Sequence, residues 1–137
     1  MNILLAEDNL INQKFALRAL ELKGHNVKVA SNGVEAINLW ENDEFELILM
    51  DVQMPQMDGL EATRQIRAKE LASNADQRTL IVAMTAHAMK GDREKCLTAG
   101  MDGYLTKPIR PTRLFSIVEE LAKPASERSL EIFSDEF

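Results

Sequence analysis

Short apolar runs alternate with longer amphipathic segments along most of this chain, and that alternation constrains the fold more than any other feature. Apolar runs of about four to eight residues are typical of buried strands, and longer segments with one apolar face are typical of helices. Strict alternation of the two indicates βα units built around a parallel sheet. The runs predicted to be strands are Asn2–Ala6, Asn26–Ala30, Glu46–Met50, Leu80–Met84 and Gly103–Thr106.

Five amphipathic segments between and after these runs are predicted to be helices. They are Leu10–Lys23, Gly33–Asn42, Gly59–Ala72, Lys90–Ala99 and Pro111–Ala122. In the last segment four apolar residues recur at helical spacing and define one buried face, namely Leu114, Ile117, Val118 and Leu121. The sequence therefore predicts an α/β fold, with helices on both faces of a five-stranded parallel sheet.

Composition excludes several other classes of protein. The chain has 137 residues, which fits one ordinary domain, and 45% of them are hydrophobic, as in globular proteins. The apolar runs are too short to cross a membrane, so no membrane contact is expected. No basic segment with a cleavage site follows Met1, so the cytoplasm is the expected location. A net charge of -6 argues against direct nucleic-acid binding, which needs a basic surface.

The single cysteine and the end of the chain give two further expectations. Cys96 has no second cysteine to pair with, so it is expected to be a free, buried or half-buried thiol. The alternating pattern stops at Ala122, which predicts one domain over 1–122 and a C-terminal tail or linker over 123–137. The tail has three open interpretations: a linker, a frayed end, or a short helix docked by Leu130, Ile132 and Phe133.

Polar side chains follow several of the predicted strands at the point where each strand ends. Glu7 and Asp8 follow the first strand, and Asp51 follows the third. Thr85 follows the fourth strand and Lys107 follows the fifth. Because ligands of open parallel sheets bind beyond the carboxyl ends of the strands, these five side chains are expected to converge on one site.

Three converging carboxylates require a positive partner, because a close pair repels by about 4 kcal/mol at an effective dielectric of about 20. Mg²⁺ suits such a site, since it prefers oxygen ligands and keeps waters that substrate oxygens can replace. Lys107 supplies a compact charge for a phosphate oxygen, and Thr85 supplies a hydroxyl donor. The set fits phosphoryl transfer to a carboxylate, with Asp51 as the nucleophile and Glu7 and Asp8 as metal ligands.

Four motifs along the chain contain these side chains. They are Leu5-Ala6-Glu7-Asp8-Asn9, Met50-Asp51-Val52-Gln53-Met54-Pro55-Gln56-Met57-Asp58-Gly59, Met84-Thr85-Ala86-His87-Ala88 and Tyr104-Leu105-Thr106-Lys107-Pro108. The motifs resemble those of the receiver domains of response regulators and hybrid histidine kinases. The resemblance covers the chain from about Asn2 to Ala122, and the Asn12-Gln13 pair and the Gly100-Met101-Asp102 triplet look most like receivers of hybrid kinases.

The resemblance implies a fold and a set of site residues. It implies a flavodoxin-like sheet with strand order 2-1-3-4-5, which is the topology of doubly wound receiver proteins. It also implies a cis bond between Lys107 and Pro108. Asp8 and Asp51 are expected to bind Mg²⁺ together with the backbone carbonyl of Gln53, and Glu7 to act through a metal-bound water. Thr85 and Lys107 are expected to contact the phosphoryl group.

The resemblance also implies partners and a response. The phosphoryl donor is expected to be a histidine kinase or a histidine phosphotransfer protein, and dephosphorylation is expected to be slow and tuned by Gln53 and His87. Tyr104 is expected to turn inward as Thr85 moves. The fourth helix, fifth strand and fifth helix are expected to bind a second copy or a downstream effector. Two simpler interpretations stand beside these: a half-buried Tyr104 with its hydroxyl in water, and His87 as an ordinary loop residue.

Three other functions fit the sequence less well. A turnover phosphatase with an aspartyl nucleophile needs a general acid where Gln53 stands. A flavodoxin-like cofactor binder needs a phosphate-binding loop rich in glycine or hydroxyl residues, whereas Glu7 and Asp8 would repel a phosphate. A pseudo-receiver that only mediates contacts predicts a broken site, whereas every site position here is intact.

Overall fold

A computed structural model describes residues 1–73, 78–86 and 89–128. Strands and helices alternate along the chain as the sequence predicts. The elements are β1 (Asn2–Ala6), α1 (Leu10–Leu22), β2 (Asn26–Ala30), α2 (Gly33–Asn42), β3 (Leu47–Asp51), α3 (Gly59–Ala72), β4 (Leu80–Thr85), α4 (Lys90–Ala99), β5 (Gly103–Thr106) and α5 (Pro111–Ala122). His87 and the apolar tail residues Leu130, Ile132 and Phe133 lie outside the described residues.

The five strands form one parallel sheet in the order β2-β1-β3-β4-β5, which confirms the predicted topology. The peptide bond between Lys107 and Pro108 is cis, also as predicted. The direction in which strands are added to the sheet reverses between β1 and β3, and a crevice opens between the loops that follow these two strands. Ligands of doubly wound sheets bind at such a switch point.

Alternating strand residues form two separate apolar cores, one on each face of the sheet. Leu5 and Leu49 face a core made with α1 and α5, where the four predicted apolar residues of α5 are all buried. Leu4 and Ile48 face the other core, which includes residues of α2, α3 and α4. In α4, Cys96 is buried, which confirms the expected free thiol. Burial on both faces explains why the central strands are almost continuously apolar.

Strands β3 and β4 each end one residue later than the apolar runs predict. Asp51 pairs with Met84 in the parallel ladder, and Thr85 pairs with Thr106. Backbone hydrogen bonds hold these pairs regardless of side-chain polarity, so the ladder continues into the polar residues. Asp51 and Thr85 are therefore the last residues of their strands, where the regular backbone fixes the direction of each side chain.

An ion-pair network joins α3 to the loop between α4 and β5, at the end of the sheet opposite the predicted site. The Arg67 guanidinium, 14% exposed, donates to Glu70 Oε1 at 2.7 Å, to Asp102 Oδ2 at 2.7 Å and to the Gly100 carbonyl at 2.9 Å. Arg78 donates to the same Gly100 carbonyl at 2.8 Å. Gly100 has a φ of 106° and caps α4 in the left-handed conformation, which glycine adopts without strain.

The first residues after α5 fold back onto that helix. Ala125–Glu127 form a 3-10 turn, and the Arg128 guanidinium donates to the carbonyls of Leu121 at 3.1 Å and Lys123 at 3.0 Å. These bonds satisfy carbonyls at the end of α5 that have no partner within the helix.

The domain boundary at Ala122 stays a prediction. Among the described helices, none combines the length and the apolar character that a membrane span requires.

Candidate functional site

The structure brings three carboxylates together at the carboxyl ends of β1 and β3. One ligand oxygen from each of Glu7, Asp8 and Asp51 lies within 4.8 Å of the other two. Glu7 and Asp51 are only 2% and 3% exposed, whereas Asp8 is exposed to solvent. Oxygen donors from three carboxylates, one of them open to water, fit a hard divalent cation such as Mg²⁺.

Lys107 is the cation that balances this cluster within the described part of the chain. Its Nζ lies 2.8 Å from Glu7 Oε1 and 2.8 Å from Asp51 Oδ2. Lys107 follows β5, so its side chain must cross over the end of β4 to reach β1 and β3. It therefore bridges two carboxylates that would otherwise repel each other.

An open cavity of about 560 Å³ lies over these groups. Its walls include all five side chains that the sequence predicts at the strand ends, together with Gln53 and Asn12. Gln53 is exposed, and its backbone N–H donates to Asp51 Oδ1 at 3.2 Å. The cavity is thus lined by polar side chains from the strand ends and is open to solvent.

Burial and the acidic neighbour raise the pKa of Asp51 to about 7. Glu7 adds to that rise, and the Lys107 ammonium opposes it. Burial also acts to raise the pKa of Glu7, but its hydrogen bonds with Asp51 and Lys107 outweigh burial and lower that pKa. Burial acts to lower the pKa of Lys107, yet the two carboxylates outweigh it and raise that pKa. A proton shared by Glu7 and Asp51 therefore lies preferentially on Asp51.

The raised pKa of Asp51 predicts a stability effect without any divalent cation. A carboxyl with a pKa of about 7 in the folded state and 3.8 in the unfolded state stabilises the fold fully below about pH 4. That contribution is lost as pH rises through about 7. The side chain in the Asp51→Asn variant does not ionise. At about pH 8 the free energy of unfolding of this variant should therefore be about 2 kcal/mol higher than that of wild type.

Urea unfolding in EDTA at about pH 5 and about pH 8 checks this expectation. The difference in free energy of unfolding between Asp51→Asn and wild type should be smaller at the lower pH and larger at the higher one. Asp58→Asn is the matched control, because Asp58 caps α3 by accepting the Glu61 N–H at 2.8 Å and asparagine can make the same bond. An Asp51→Asn variant less stable than wild type at the higher pH would contradict the assignment.

Tyr104 on β5 is directed into the core and is 0% exposed. The simpler interpretation, a half-buried ring with its hydroxyl in water, is therefore wrong. Thr85 and Tyr104 share a side-chain hydrogen bond. Burial, with smaller contributions from Cys96 and Asp92, raises the pKa of Tyr104 to about 12, so its hydroxyl stays protonated.

Gly59 is a site residue that chemical reasoning from the sequence did not single out. An added Cβ at Gly59 would lie 2.1 Å from the Asp51 backbone oxygen, so α3 can begin this close to β3 only at a glycine. The Gly59 N–H donates to the Val52 carbonyl at 2.9 Å. The signal in the sequence is the Asp58-Gly59 pair at the start of a helix, where an N-cap residue is followed by the least bulky one.

An apolar patch borders the site on α1. Leu10 is 66% exposed, Ile11 79% and Phe15 43%, although α1 packs its other side on the sheet. A cavity of about 280 Å³ runs beside this patch, and its walls include Glu7 and Lys107 of the acidic site. Exposed apolar side chains grouped around a polar site indicate contact with another protein.

Comparisons with known proteins agree with this geometry. The response regulator receiver domain family matches residues 3–119. Hybrid signal transduction histidine kinase I of Dictyostelium discoideum is 42% identical over 121 residues, which cover 85% of this chain and 7% of that protein. Three of the curated relatives are much longer than this chain, which spans 7%, 15% and 6% of their length.

Two solved structures are similar over most of their length. The receiver domain of sensor histidine kinase PA1611 from Pseudomonas aeruginosa, solved with a magnesium ion in its active site cleft, is 40% identical with a TM-score of 0.79 and covers 89% of this chain and 98% of its own. The receiver domain of Ssk1 from Saccharomyces cerevisiae, solved with the histidine phosphotransfer protein Ypd1, is 36% identical with a TM-score of 0.82 and covers 88% of both chains.

Proposed function

The chain belongs to the response regulator receiver domain family, and from that premise we propose that it accepts a phosphoryl group on Asp51 within a phosphorelay. Receiver domains are response regulator modules and, as a class, are not turnover enzymes. The observation that carries the proposal is the contact of Lys107 with both Glu7 and Asp51 at 2.8 Å, beside the exposed Asp8. This arrangement supplies a nucleophile, a cation and metal ligands in one cavity.

Mg²⁺ would be held by Asp8, Asp51 and the backbone carbonyl of Gln53, with Glu7 acting through a bound water. The ion would offset negative charge on the phosphoryl oxygens and on the three carboxylates. Two features of the described residues support this site: the grouping of three carboxylates and the exposure of Asp8. The magnesium ion of the PA1611 receiver lies in its active site cleft, which supports the same choice of metal.

In the proposed reaction an ionised Asp51 oxygen forms a bond to phosphorus as the phosphorus–nitrogen bond of a phosphohistidine breaks. The electron pair of the broken bond remains on the donor imidazole, which then takes up a proton. Lys107 donates to an oxygen of the transferred group, and Thr85 supplies a second donor. Because burial and Glu7 raise the pKa of Asp51 to about 7, a cation bound in the acidic cluster would lower that pKa and favour the reactive carboxylate.

The response to phosphorylation would pass through Thr85 and Tyr104. A phosphoryl group adds about 1.5 to 2 negative charges and three acceptors, so it competes for the Thr85 hydroxyl. Thr85 already shares a hydrogen bond with Tyr104, which links the site to the side of β5 that packs with α4. We assign α4, β5 and α5 as the face that a second copy or an effector protein would bind in response. Gln53, exposed in the cavity wall, would tune hydrolysis of the adduct, as His87 is also proposed to do.

The donor protein would bind over the patch formed by Leu10, Ile11 and Phe15. This patch borders the cavity, so a helical donor docked there could bring its phosphohistidine to Asp51. A histidine kinase or a histidine phosphotransfer protein is the proposed partner, and the Ssk1 receiver was solved with a protein of the second kind. We propose the cytoplasm as the location of this domain and its donor.

Acetyl phosphate tests the proposal without any knowledge of the donor. Wild-type protein incubated with acetyl phosphate and Mg²⁺ should gain one phosphoryl group that hydroxylamine removes, as expected for an acyl phosphate. Peptide mass spectrometry should locate it on Asp51. The same incubation in EDTA should give almost no adduct. Labelling on another residue, or equal labelling in EDTA, would contradict the proposed site.

A further inference from the structure

Gln13 is a buried polar residue that the proposed reaction does not yet use. It lies in the first turns of α1, where the other buried residues are Ala16, Ala19 and Leu20. An apolar side chain at this position would continue that buried stripe. Gln13 is only 9% exposed, so an amide there must find hydrogen-bond partners to offset its loss of water.

The partner of the Gln13 amide is the loop that carries the metal-site acids. Gln13 Nε2 donates to the backbone carbonyl of Glu7, and it also lies 3.4 Å from Ser31 Oγ in the loop after β2. Gln13 is placed for this contact because its own N–H donates to the Asn9 carbonyl at 2.9 Å in the first turn of α1. Helical side chains point toward the N-terminus, which directs Gln13 back over the loop.

The Glu7 carbonyl belongs to the planar peptide unit that joins Glu7 to Asp8. A hydrogen bond that fixes this oxygen therefore also fixes the Asp8 N–H and the position of the Asp8 Cα, from which the side chain leaves the backbone. The remaining polar groups of Glu7 are held as well: its N–H donates to the Ala30 carbonyl at 3.0 Å, and its carboxylate accepts from Asn9 and Lys107. Asp8 itself is exposed.

We propose that Gln13 is a positioning residue for the metal site, which orients the peptide between Glu7 and Asp8 so that both carboxylates face Asp51. This inference rests on the proposed function, since it assigns a role toward the same Mg²⁺. Gln13 contacts neither the cation nor the phosphoryl group in this role. Outer residues that orient metal ligands commonly change metal affinity by about 10- to 100-fold when they are replaced.

Gln13→Met tests the role, because methionine has a similar length and keeps the buried stripe apolar but cannot donate a hydrogen bond. Isothermal titration calorimetry should show Mg²⁺ binding weakened by about tenfold relative to wild type. The amide resonance of Asp8 should shift in EDTA, where no cation is bound. Acetyl phosphate labelling at subsaturating Mg²⁺ should slow in proportion to the loss of bound metal and recover at high Mg²⁺.

Gln65→Met is the matched control. Gln65 lies on α3 and donates to Glu61 Oε2 at 3.2 Å in an exposed pair, so the same substitution there should leave Mg²⁺ binding unchanged. Ser31→Ala should also have little effect, since its contact with Gln13 is long.

The possible results separate the two proposals. If Gln13→Met lowers the urea midpoint in EDTA but binds Mg²⁺ as tightly as wild type, Gln13 is a core residue only and the inference is overturned. If Mg²⁺ binding weakens while the Gln65→Met control is unchanged, the inference holds. If wild-type protein binds no Mg²⁺ and takes up no label, the inference fails together with the proposed function.

Discussion

Replacement of Asp51 by asparagine should abolish the phosphoryl adduct that wild-type protein forms with acetyl phosphate and Mg²⁺. The substitution keeps the shape of the side chain and its place at the end of β3, but an amide oxygen is too weak a nucleophile to accept the group. Adduct formation should fall by at least about 100-fold, because neither of the other two carboxylates of the cluster is placed to replace it. Glu7 is buried against Lys107, and Asp8 lies on the open side of the cavity.

Quantitative mass spectrometry of the intact protein measures this loss, and Asp58→Asn again serves as the matched control. Asp58 ends the loop that follows Asp51 and caps α3, but it is not among the three clustered carboxylates. Asp58→Asn should therefore label like wild type. Equal labelling of Asp51→Asn and wild type would assign the phosphoryl group to another residue and would remove the basis of the proposed function.

Lys107→Met should affect metal binding and phosphorylation in opposite directions. Methionine fills similar space without a charge or a donor. Phosphorylation should slow by about 100-fold, since the group that balances charge on the transferred phosphoryl is gone. Mg²⁺ binding should tighten by about tenfold, because the ammonium no longer competes with the cation for the carboxylates of Glu7 and Asp51.

Titration calorimetry and adduct formation at saturating Mg²⁺ measure the two effects on the same protein. Lys123→Met is the matched control, because Lys123 is half exposed and its ammonium pairs with Glu120 at 3.0 Å at the end of α5, away from the acidic cluster. Both quantities should be unchanged in that variant. Weaker Mg²⁺ binding by Lys107→Met would show that Lys107 organises the carboxylates and does not compete with the metal.

Most of the fold could be predicted because each of its layers leaves a local pattern in the sequence. Burial on both faces makes β1, β3 and β4 almost continuously apolar, and the stripe of α5 matches its single packed face. Parallel strands also make the site predictable, since their carboxyl ends lie on one edge of the sheet. The three acids and Lys107 could thus be grouped before any distance was known.

The remaining features depend on distances between segments that no local pattern encodes. The contact of Gln13 with the Glu7 carbonyl links a helix to the loop before it, and glutamine is also an ordinary surface residue of helices. The full burial of Tyr104 depends on how α4 packs over β5. Strand ends shifted by one residue at Asp51 and Thr85 because ladder hydrogen bonds do not depend on side-chain polarity.

The bonds that Arg67 and Arg78 make to the Gly100 carbonyl hold the C-terminal end of α4. At its other end, Met89 precedes the helix without a side-chain cap. If α4 moves in response to phosphorylation, Gly100 is the point about which the helix would rotate. A helix of this size is about 15 Å long, so a small rotation at Gly100 becomes a shift of several ångströms near Met89. The largest movement should therefore occur at the start of α4, the end nearer to Thr85 along the chain, while the end of the domain that holds Gly100 stays still.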